Sequence, residues 1–348
     1  MGFTVTLQPS GTTFDVADGK SILTGALEAG HALKYGCRAG ACQTCKSRVV
    51  AGQIDYGHVM DAFLPEEERK KGYALICQAR PRSNVVLEAE ELKGLALVRP
   101  RVVPGRVSKL DRVASDVMVM HVRVPMNENL LFLAGQNVDF LLDGGQRRTY
   151  SIANVPKPEG VTELEFHLRH MANGFFTDRV FSSMKVRELV KIEAPLGTFF
   201  IREDSEKPMI FIAGGTGFAP IKSMLQHAFD RAFHKRRAIH FYWGARTREG
   251  LYMLDQVNRW GGQYENFTFT PVLSDPTTAC DWNGRTGLVH EAVLEDRPNL
   301  SNYQVYVSGA PGMVEAVRRD LVSQRGLDEK ELFADAFLPA STTQRDAA

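Results

Sequence analysis

The chain lacks several features that would settle its class at once. No run approaches the ~18 apolar residues that a membrane helix needs, so no membrane association is expected. Residues 1–10 are polar and alternating, with neither a basic stretch nor an apolar core, so no signal peptide is expected. Charge of one sign is not in excess: 42 Lys and Arg stand against 41 Asp and Glu. That balance produces no whole-chain field toward nucleic acid, which is not expected as a partner. Internal repeats and low-complexity tracts are missing too. Cysteine is scarce, with five in 348 residues, and four of these fall into one pattern. The fifth, Cys280, sits in a polar stretch and reads as an incidental thiol. No disulfide framework is expected, and a reducing cytoplasm fits.

What is present is an ordinary globular balance, 44% hydrophobic and 24% charged. At roughly 100–200 residues per domain, the length suggests two or three domains. The most informative stretch is Tyr35-Gly36-Cys37-Arg38-Ala39-Gly40-Ala41-Cys42-Gln43-Thr44-Cys45, with Cys77 following after 31 intervening residues. C-x4-C-x2-C with a distant fourth cysteine is the ligand spacing of a plant-type [2Fe–2S] cluster. Gly36, Ala39, Gly40 and Ala41 let backbone N–H groups turn toward sulfur and offset its negative charge. A zinc site is one alternative, but zinc usually takes two short Cys/His pairs, and Cys77 has no close companion. Four unconnected core cysteines are the other. A Rieske centre is excluded, because no cysteine is followed two residues later by histidine.

The pattern changes three times along the chain. Residues 1–93 show an alternating hairpin, a short helix over 21–29 ended by Gly30, the cysteine loop, a strand over 47–51, a helix opening at Pro65 and a strand over 85–87. This segment carries 11 basic and 11 acidic residues. Long-range steering serves partners that must meet in solution, so its absence suggests an electron donor tethered in the same chain. Residues 94–103 read as a linker. From 104 to 204, six short alternating strands (105–110, 117–124, 137–142, 149–152, 164–169, 189–194) argue for an antiparallel β-barrel. From 205 to 339, buried strands at 209–213, 239–243, 267–273, 305–307 and 332–337 alternate with helices at 220–233 and 311–323, which means a parallel α/β sheet. Residues 340–348 read as a flexible tail.

Three further motifs carry chemistry. In Arg148-Thr149-Tyr150-Ser151, the alternation of a strand puts Arg148 and Tyr150 on one face, suited to a ligand with a phosphate and a flat ring. A cross-strand pair is the plain alternative. Gly174-Phe175-Phe176-Thr177 enters a helix and makes an anion site, or an ordinary helix start. Gly214-Gly215-Thr216-Gly217-Phe218-Ala219-Pro220 follows a buried strand and opens a helix. It departs from G-x-G-x-x-G, but glycines still permit close approach to a pyrophosphate, and Pro220 suits a first helical turn.

In this order the motifs resemble the ferredoxin–NADP reductase superfamily, and more closely the iron–sulfur flavoprotein reductases of bacterial multicomponent oxygenases. The plan is shared with reductases for CDP-glucoseen synthesis. The resemblance spans about residues 3 to 338 and implies a multidomain α+β and α/β protein. Its parts would be a β-grasp ferredoxin domain, an antiparallel β-barrel FAD domain and a parallel α/β nucleotide-binding domain. By position, Cys37, Cys42, Cys45 and Cys77 would hold the cluster. Arg148 and Thr149 belong to the flavin motif, with Arg148 on the pyrophosphate, Tyr150 on the isoalloxazine and Ser151 near N5. His167 and Arg169 match flavin-contacting positions, and Gly174 and Thr177 would complete the pyrophosphate site. Gly215, Thr216, Gly217 and Pro220 would meet the nicotinamide nucleotide, and Gly244, Ala245 and Arg246 its adenosine ribose. Ser308 and Gly309 would lie by the nicotinamide, Asp335 would place a carboxylate near the reacting centre, and Phe337 would cover the flavin.

Two positions depart from the pattern. Ser308-Gly309-Ala310-Pro311 stands where Cys-Gly-x-Pro is usual, and Arg187-Glu188 replaces a Gly-Asp turn. Electron counting orders the relay: NAD(P)H gives a hydride, FAD accepts two electrons and releases one at a time, and the cluster passes them outward. NADH is expected rather than NADPH, since Glu249 opposes what Arg246 and Arg248 offer a 2′-phosphate. The expected acceptor is an aromatic-compound oxygenase component, with a sugar-nucleotide dehydratase as the alternative. A redox sensor would need an output module, for which no length remains. The surface at 38–44 is expected to meet the partner.

Overall fold

The computed structural model describes residues 2–92, 100–277 and 280–337. They divide into two compact units, one built from residues up to Pro100 with Gly197–Phe199, the other from Arg101–Leu196 with Phe200–Phe337.

In the first unit, β1 (Gly2–Gln8) and β2 (Thr13–Ala17) form the expected hairpin, with Val5 opposite Phe14. Helix α1 (Ile22–Glu28) starts where Ser21 accepts the Thr24 N–H at 3.2 Å, a side-chain cap for an otherwise orphaned donor. There follow β3 (Lys46–Ala51), β4 (Ile54–Asp55), α2 (Glu66–Lys70), β5 (Tyr73–Leu75), β6 (Arg80–Pro81) and β7 (Val85–Glu88). The main sheet runs β2-β1-β7-β3-β5; β1 and β7 are parallel, the other neighbours antiparallel. This is the mixed β-grasp sheet. Val5, Leu7, Val16, Ile22, Ala26 and Leu87 fill its core, which also takes in Cys45 and Cys77. Gly197–Phe199 belongs to this unit: Thr198 Oγ1 accepts the Tyr35 N–H at 2.9 Å and donates to the Tyr35 carbonyl at 2.7 Å.

The second unit begins with an antiparallel sheet of six strands: β8 (Arg101–Ala114), β9 (Val117–Arg123), β10 (Asn137–Leu141), β11 (Arg147–Ser151), β12 (Glu163–Arg169) and β13 (Leu189–Leu196). Its order is β11-β10-β13-β8-β9-β12. Hydrogen bonds just past β11 close it into a barrel: Ala153 N–H donates to the Glu165 carbonyl at 2.8 Å, and the Asn154 side chain accepts the Glu165 N–H at 2.9 Å. Val107, Met120, Phe140, Phe166 and Ile192 fill the interior, capped by Phe176 and Val180 of α3 (Phe175–Ser182). Burying each such side chain contributes roughly 1.5–3 kcal/mol. Strand β8 starts at Arg101, inside the stretch read as a linker; residues 94–99 and the tail at 340–348 lie outside the described residues.

The remainder is β14 (Met209–Gly214), α4 (Phe218–Asp230), β15 (Ile239–Ala245), α5 (Leu254–Gln263), β16 (Phe267–Leu273), β17 (Arg285–Thr286), α6 (Val289–Asp296), β18 (Gln304–Gly309), α7 (Pro311–Arg325) and β19 (Leu332–Ala336). The sheet is wholly parallel, in the order β17-β16-β15-β14-β18-β19. Strand order reverses between β14 and β18, and ligands of open α/β sheets bind at the carboxyl ends flanking such a switch point. The Gly214–Gly217 turn and Gly309 both lie there. Helices α5 and α6 were not expected. Only Val257 and Trp260 of α5 are buried, and Gly261 and Gly262 weaken its signal. Among the described residues, no helix is long and apolar enough to cross a membrane.

Candidate functional site

The four cysteines of the loop and of the turn after β5 are all buried. They interact in two pairs: Cys37 with Cys42, and Cys45 with Cys77. The N–H groups of Ala39 and Cys42 point at Cys37 Sγ, and that of Cys37 at Cys42 Sγ, each at 3.4 Å. The Cys37 thiol is drawn down to about 5, first by the Cys42 thiol and then by these amides, against the effect of burial. The hydrogen bond with the paired thiol (Cys37 and Cys45, respectively), and then burial, push Cys42 and Cys77 up. No three His, Cys, Asp or Glu side chains among the described residues are arranged to hold a single metal ion. Two thiol pairs, the Cys37–Cys42 pair met by amide donors, fit a two-iron cluster with two thiolates per iron. Most of the loop is buried; only Arg38, Gln43 and Thr44 are partly exposed between 38 and 44.

In the second unit, Arg148 and Tyr150 share a face of β11, as alternation requires, and Tyr150 packs edge-on to Phe140 and against Phe176. Thr149 points the other way and donates its hydroxyl to buried Asp139. Gly174 is the N-cap of α3, and a Cβ there would strike Thr177 Oγ1 at 2.5 Å. The Thr177 hydroxyl turns back to the carbonyls of Met171 and Gly174, so it closes the turn.

The glycine turn after β14 is built for close approach. Gly215 has φ +52, and a Cβ at Gly217 would lie 2.1 Å from the Ser308 carbonyl oxygen. Beneath it, Trp243 Nε1 donates to the Gly215 carbonyl at 3.0 Å, and Phe218 stacks on Trp243 at 4.1 Å. Pro220 lies in the first turn of α4. Gly244 presses on Val289, while Arg246 is exposed and 3.5 Å from Asp275. Glu249 is held by the Ser115 N–H at 2.6 Å.

Ser151, Ser308 and Asp335 come together from positions far apart in the chain. Ser308 and Asp335 are paired on β18 and β19, so their side chains leave the sheet on one face. On that face Ser151 donates to Asp335 at 3.2 Å. The Ser308 hydroxyl is fully buried and has no hydrogen-bond partner. Phe337 is half-buried just beyond β19, its N–H bonded to the Gly309 carbonyl at 2.8 Å.

The side chains of His167 and Arg169, matched to flavin-contacting positions, are engaged within the protein. His167 has both ring nitrogens engaged within the protein, by Glu165 at 2.7 Å and Tyr252 at 2.8 Å. Arg169 is ion-paired with Asp116 at 3.0 Å and sits against Gly215, where an added Cβ would be 2.8 Å from Nη1. Glu165, Lys222 and Tyr252 were not expected at all. A lysine amid the apolar residues of α4 was the one visible signal.

A parallel sheet with a glycine turn at its switch point, a barrel beside it and a thiol-lined β-grasp unit define a redox protein of the nicotinamide–flavin–iron–sulfur class. Three family descriptions match in chain order: a 2Fe-2S iron-sulfur cluster binding domain at residues 5–82, an oxidoreductase FAD-binding domain at 104–201 and an oxidoreductase NAD-binding domain at 211–319. A CDP-6-deoxy-L-threo-D-glycero-4-hexulose-3-dehydrase reductase of Yersinia pseudotuberculosis is 37% identical over 98% of this chain and 100% of its own. The xylene/toluene monooxygenase electron transfer component XylA of Pseudomonas putida is 34% identical over 96% of this chain and 93% of its own. Among solved structures, the Amycolatopsis cytochrome P450 reductase GcoB superposes with TM-score 0.79 at 31% identity, covering 97% and 99% of the two chains. The chain belongs to the iron–sulfur flavoprotein reductases of the ferredoxin–NADP reductase superfamily. It is an oxidoreductase with [2Fe–2S], FAD and NAD-binding domains, and it acts as an electron-transfer reductase.

Proposed function

We propose that the chain takes hydride from NADH at the Ser151–Asp335–Ser308 site and delivers single electrons to a separate protein through the centre held by Cys37, Cys42, Cys45 and Cys77. The convergence of Ser151, Asp335 and Ser308 carries this reading. Bound flavin would supply the exchange between two-electron and one-electron chemistry, and the cluster would carry the single electrons. The chain's own residues do the rest. Arg148 and the first turn of α3 neutralise pyrophosphate charge, and Tyr150 offers a ring face. Gly215 and Gly217 admit the dinucleotide backbone, and Thr216 lines it. Asp335 fixes the direction of the Ser151 hydroxyl, and Gly309 and Phe337 bound the same recess.

The acceptor we infer is a sugar-nucleotide dehydrase of the kind named for the Yersinia relative. The motifs alone put an oxygenase component first; whole-length identity of 37% against 34% supports the reverse order. The structural likeness to GcoB favours an oxygenase as the second reading. NADH is favoured because Asp275 places a carboxylate 3.5 Å from Arg246, where a 2′-phosphate would be repelled.

The test offers the purified protein either a CDP-hexulose dehydrase or an aromatic oxygenase component and follows NADH consumption coupled to each. Coupled turnover with the dehydrase supports the first reading; coupled turnover with the oxygenase alone overturns it. A kcat/KM for NADPH more than about tenfold above that for NADH, a difference of ~1.4 kcal/mol, would reverse the nucleotide assignment.

A further inference from the structure

Strand β12 carries a row of side chains whose use is not explained by binding alone. Residues 165, 167 and 169 alternate onto one face, and each ends on a residue of the nucleotide-binding half. Glu165 lies 3.0 Å from Lys222 Nζ, on the second turn of α4. His167 meets Tyr252, which follows the Ala245–Gly250 loop, at 2.8 Å. Arg169 supports Gly215 from below. Lys222 also donates to the Ala153 carbonyl at 3.2 Å, and Ser223 to that of Asn154 at 2.8 Å.

The protonation pattern of the row follows from its partners. Burial alone would raise the Glu165 carboxyl, but the His167 hydrogen bond and the Lys222 charge outweigh it and hold the group at about 2. A carboxylate only accepts, so His167 carries its proton on Nε2. Nδ1 must then accept from the Tyr252 hydroxyl. Burial keeps the imidazole neutral. The result is a directed chain, Tyr252 to His167 to Glu165, with Lys222 also donating to Glu165. The side chains of His167 and Lys222 are 0% and 7% exposed.

Such a network is a poor source of stability. Well-packed apolar residues in place of a buried ion pair are often neutral or better. What directional buried contacts provide is a single arrangement of the elements that bear them. Here those elements are the wall of the flavin barrel and the helix that begins at the glycine turn. Hydride transfer depends steeply on donor–acceptor placement; a shift of about 1 Å can cost about 100-fold in rate.

We propose that Glu165, His167, Lys222 and Tyr252 are positioning residues that set the glycine turn against the flavin barrel for hydride transfer. The proposal rests on the nucleotide seat at that turn and is independent of the acceptor.

Two variants test it in the full-length holoprotein: Tyr252→Phe, which removes one hydroxyl and keeps the ring, and the double variant Glu165→Gln with Lys222→Met, which leaves no lone charge. Flavin reduction by NADH is followed in a single turnover, NAD+ affinity by equilibrium titration, and FAD content and Tm alongside. The expected result is reduction slowed about tenfold in Tyr252→Phe and more in the double variant, with NAD+ affinity within about twofold and Tm and FAD content retained. Rates within about twofold of the native protein overturn the proposal, as does slowing that merely tracks lost FAD or lowered Tm. If the double variant does not fold, Tyr252→Phe decides alone. Thr216→Val separates the two ideas: unchanged NAD+ affinity there refutes the nucleotide seat, whatever the network variants do.

Discussion

The thiol site and the proposed hydride site are assembled in opposite ways. Three of four cysteines lie within one loop of the first unit, oriented by amides of the same loop. Ser151, Ser308 and Asp335 come from a barrel strand and two strands of the parallel sheet, and only the packing of the second unit brings them together. A site built from one loop can be damaged by one residue without disturbing its surroundings. A site built from packing fails with the architecture that supports it.

The largest expected effect lies on the local side of that comparison. Cys42→Ser should abolish cytochrome c reduction and the visible iron–sulfur absorption while leaving ferricyanide reduction by the flavin half. Equal loss of both activities would show that the two sites are not separable. The converse is Gly217→Ala. Its added Cβ would lie 2.1 Å from the Ser308 carbonyl oxygen, a backbone atom that cannot swing away. The second unit should lose its cooperative melt in calorimetry while the iron–sulfur spectrum persists; an unchanged melt would mean that the turn tolerates a side chain.

Acid provides a subtler contrast. Burial first, then the Arg297 charge, holds His240 of β15 down to about 4. In the unfolded chain the imidazole titrates near ~6.5, so between these values the unfolded state binds a proton that the folded state refuses. This contribution to the second unit's stability is full above about 6.5 and is lost as pH falls toward 4, on the order of 3 kcal/mol in all. His240→Gln should flatten the fall in Tm across that range; an equally steep fall would place the acid sensitivity elsewhere. The smallest effects are expected at Ser308. Removing its unpartnered hydroxyl in Ser308→Ala should raise stability by about 1 kcal/mol, read as a higher Tm. Ser308→Cys should strengthen the long-wavelength charge-transfer band on titration with NADH, since sulfur is the more polarizable atom. An unaltered band would argue against Ser308 lying beside the nicotinamide.

Legibility in the sequence follows the same division. The cysteine loop could be read because ligand spacing is a local quantity, and most strands because their alternation is local as well. Helix α5 escaped because only Val257 and Trp260 of it are buried, and α6 because at eight residues its apolar period barely completes two turns. Arg169 and His167 illustrate what spacing does not reach. Their two-residue spacing on β12 correctly placed them on one face, but what that face meets is decided by how α4 and the 245–252 loop pack against it. Glu165, Lys222 and Tyr252 carry no motif at all. A lysine among apolar residues in α4 signals only that some buried acceptor must exist, not where it stands in the chain. Nor does the Gly174–Thr177 motif reveal that the Thr177 hydroxyl finds its acceptors in its own turn.

Thr198 has a consequence for how such proteins can be taken apart. It lies about a hundred residues beyond the last strand of the β-grasp sheet, yet it satisfies both backbone groups of Tyr35, two residues ahead of the first cysteine. The unit that holds the four cysteines is therefore discontinuous in the chain. A fragment ending near residue 92, or a chimera that exchanges only that segment for a foreign ferredoxin, inherits the cysteines but forfeits the tripeptide that braces their entry. Recombination of this chain would need a matched pair of exchanges, one at each place where it contributes to the unit.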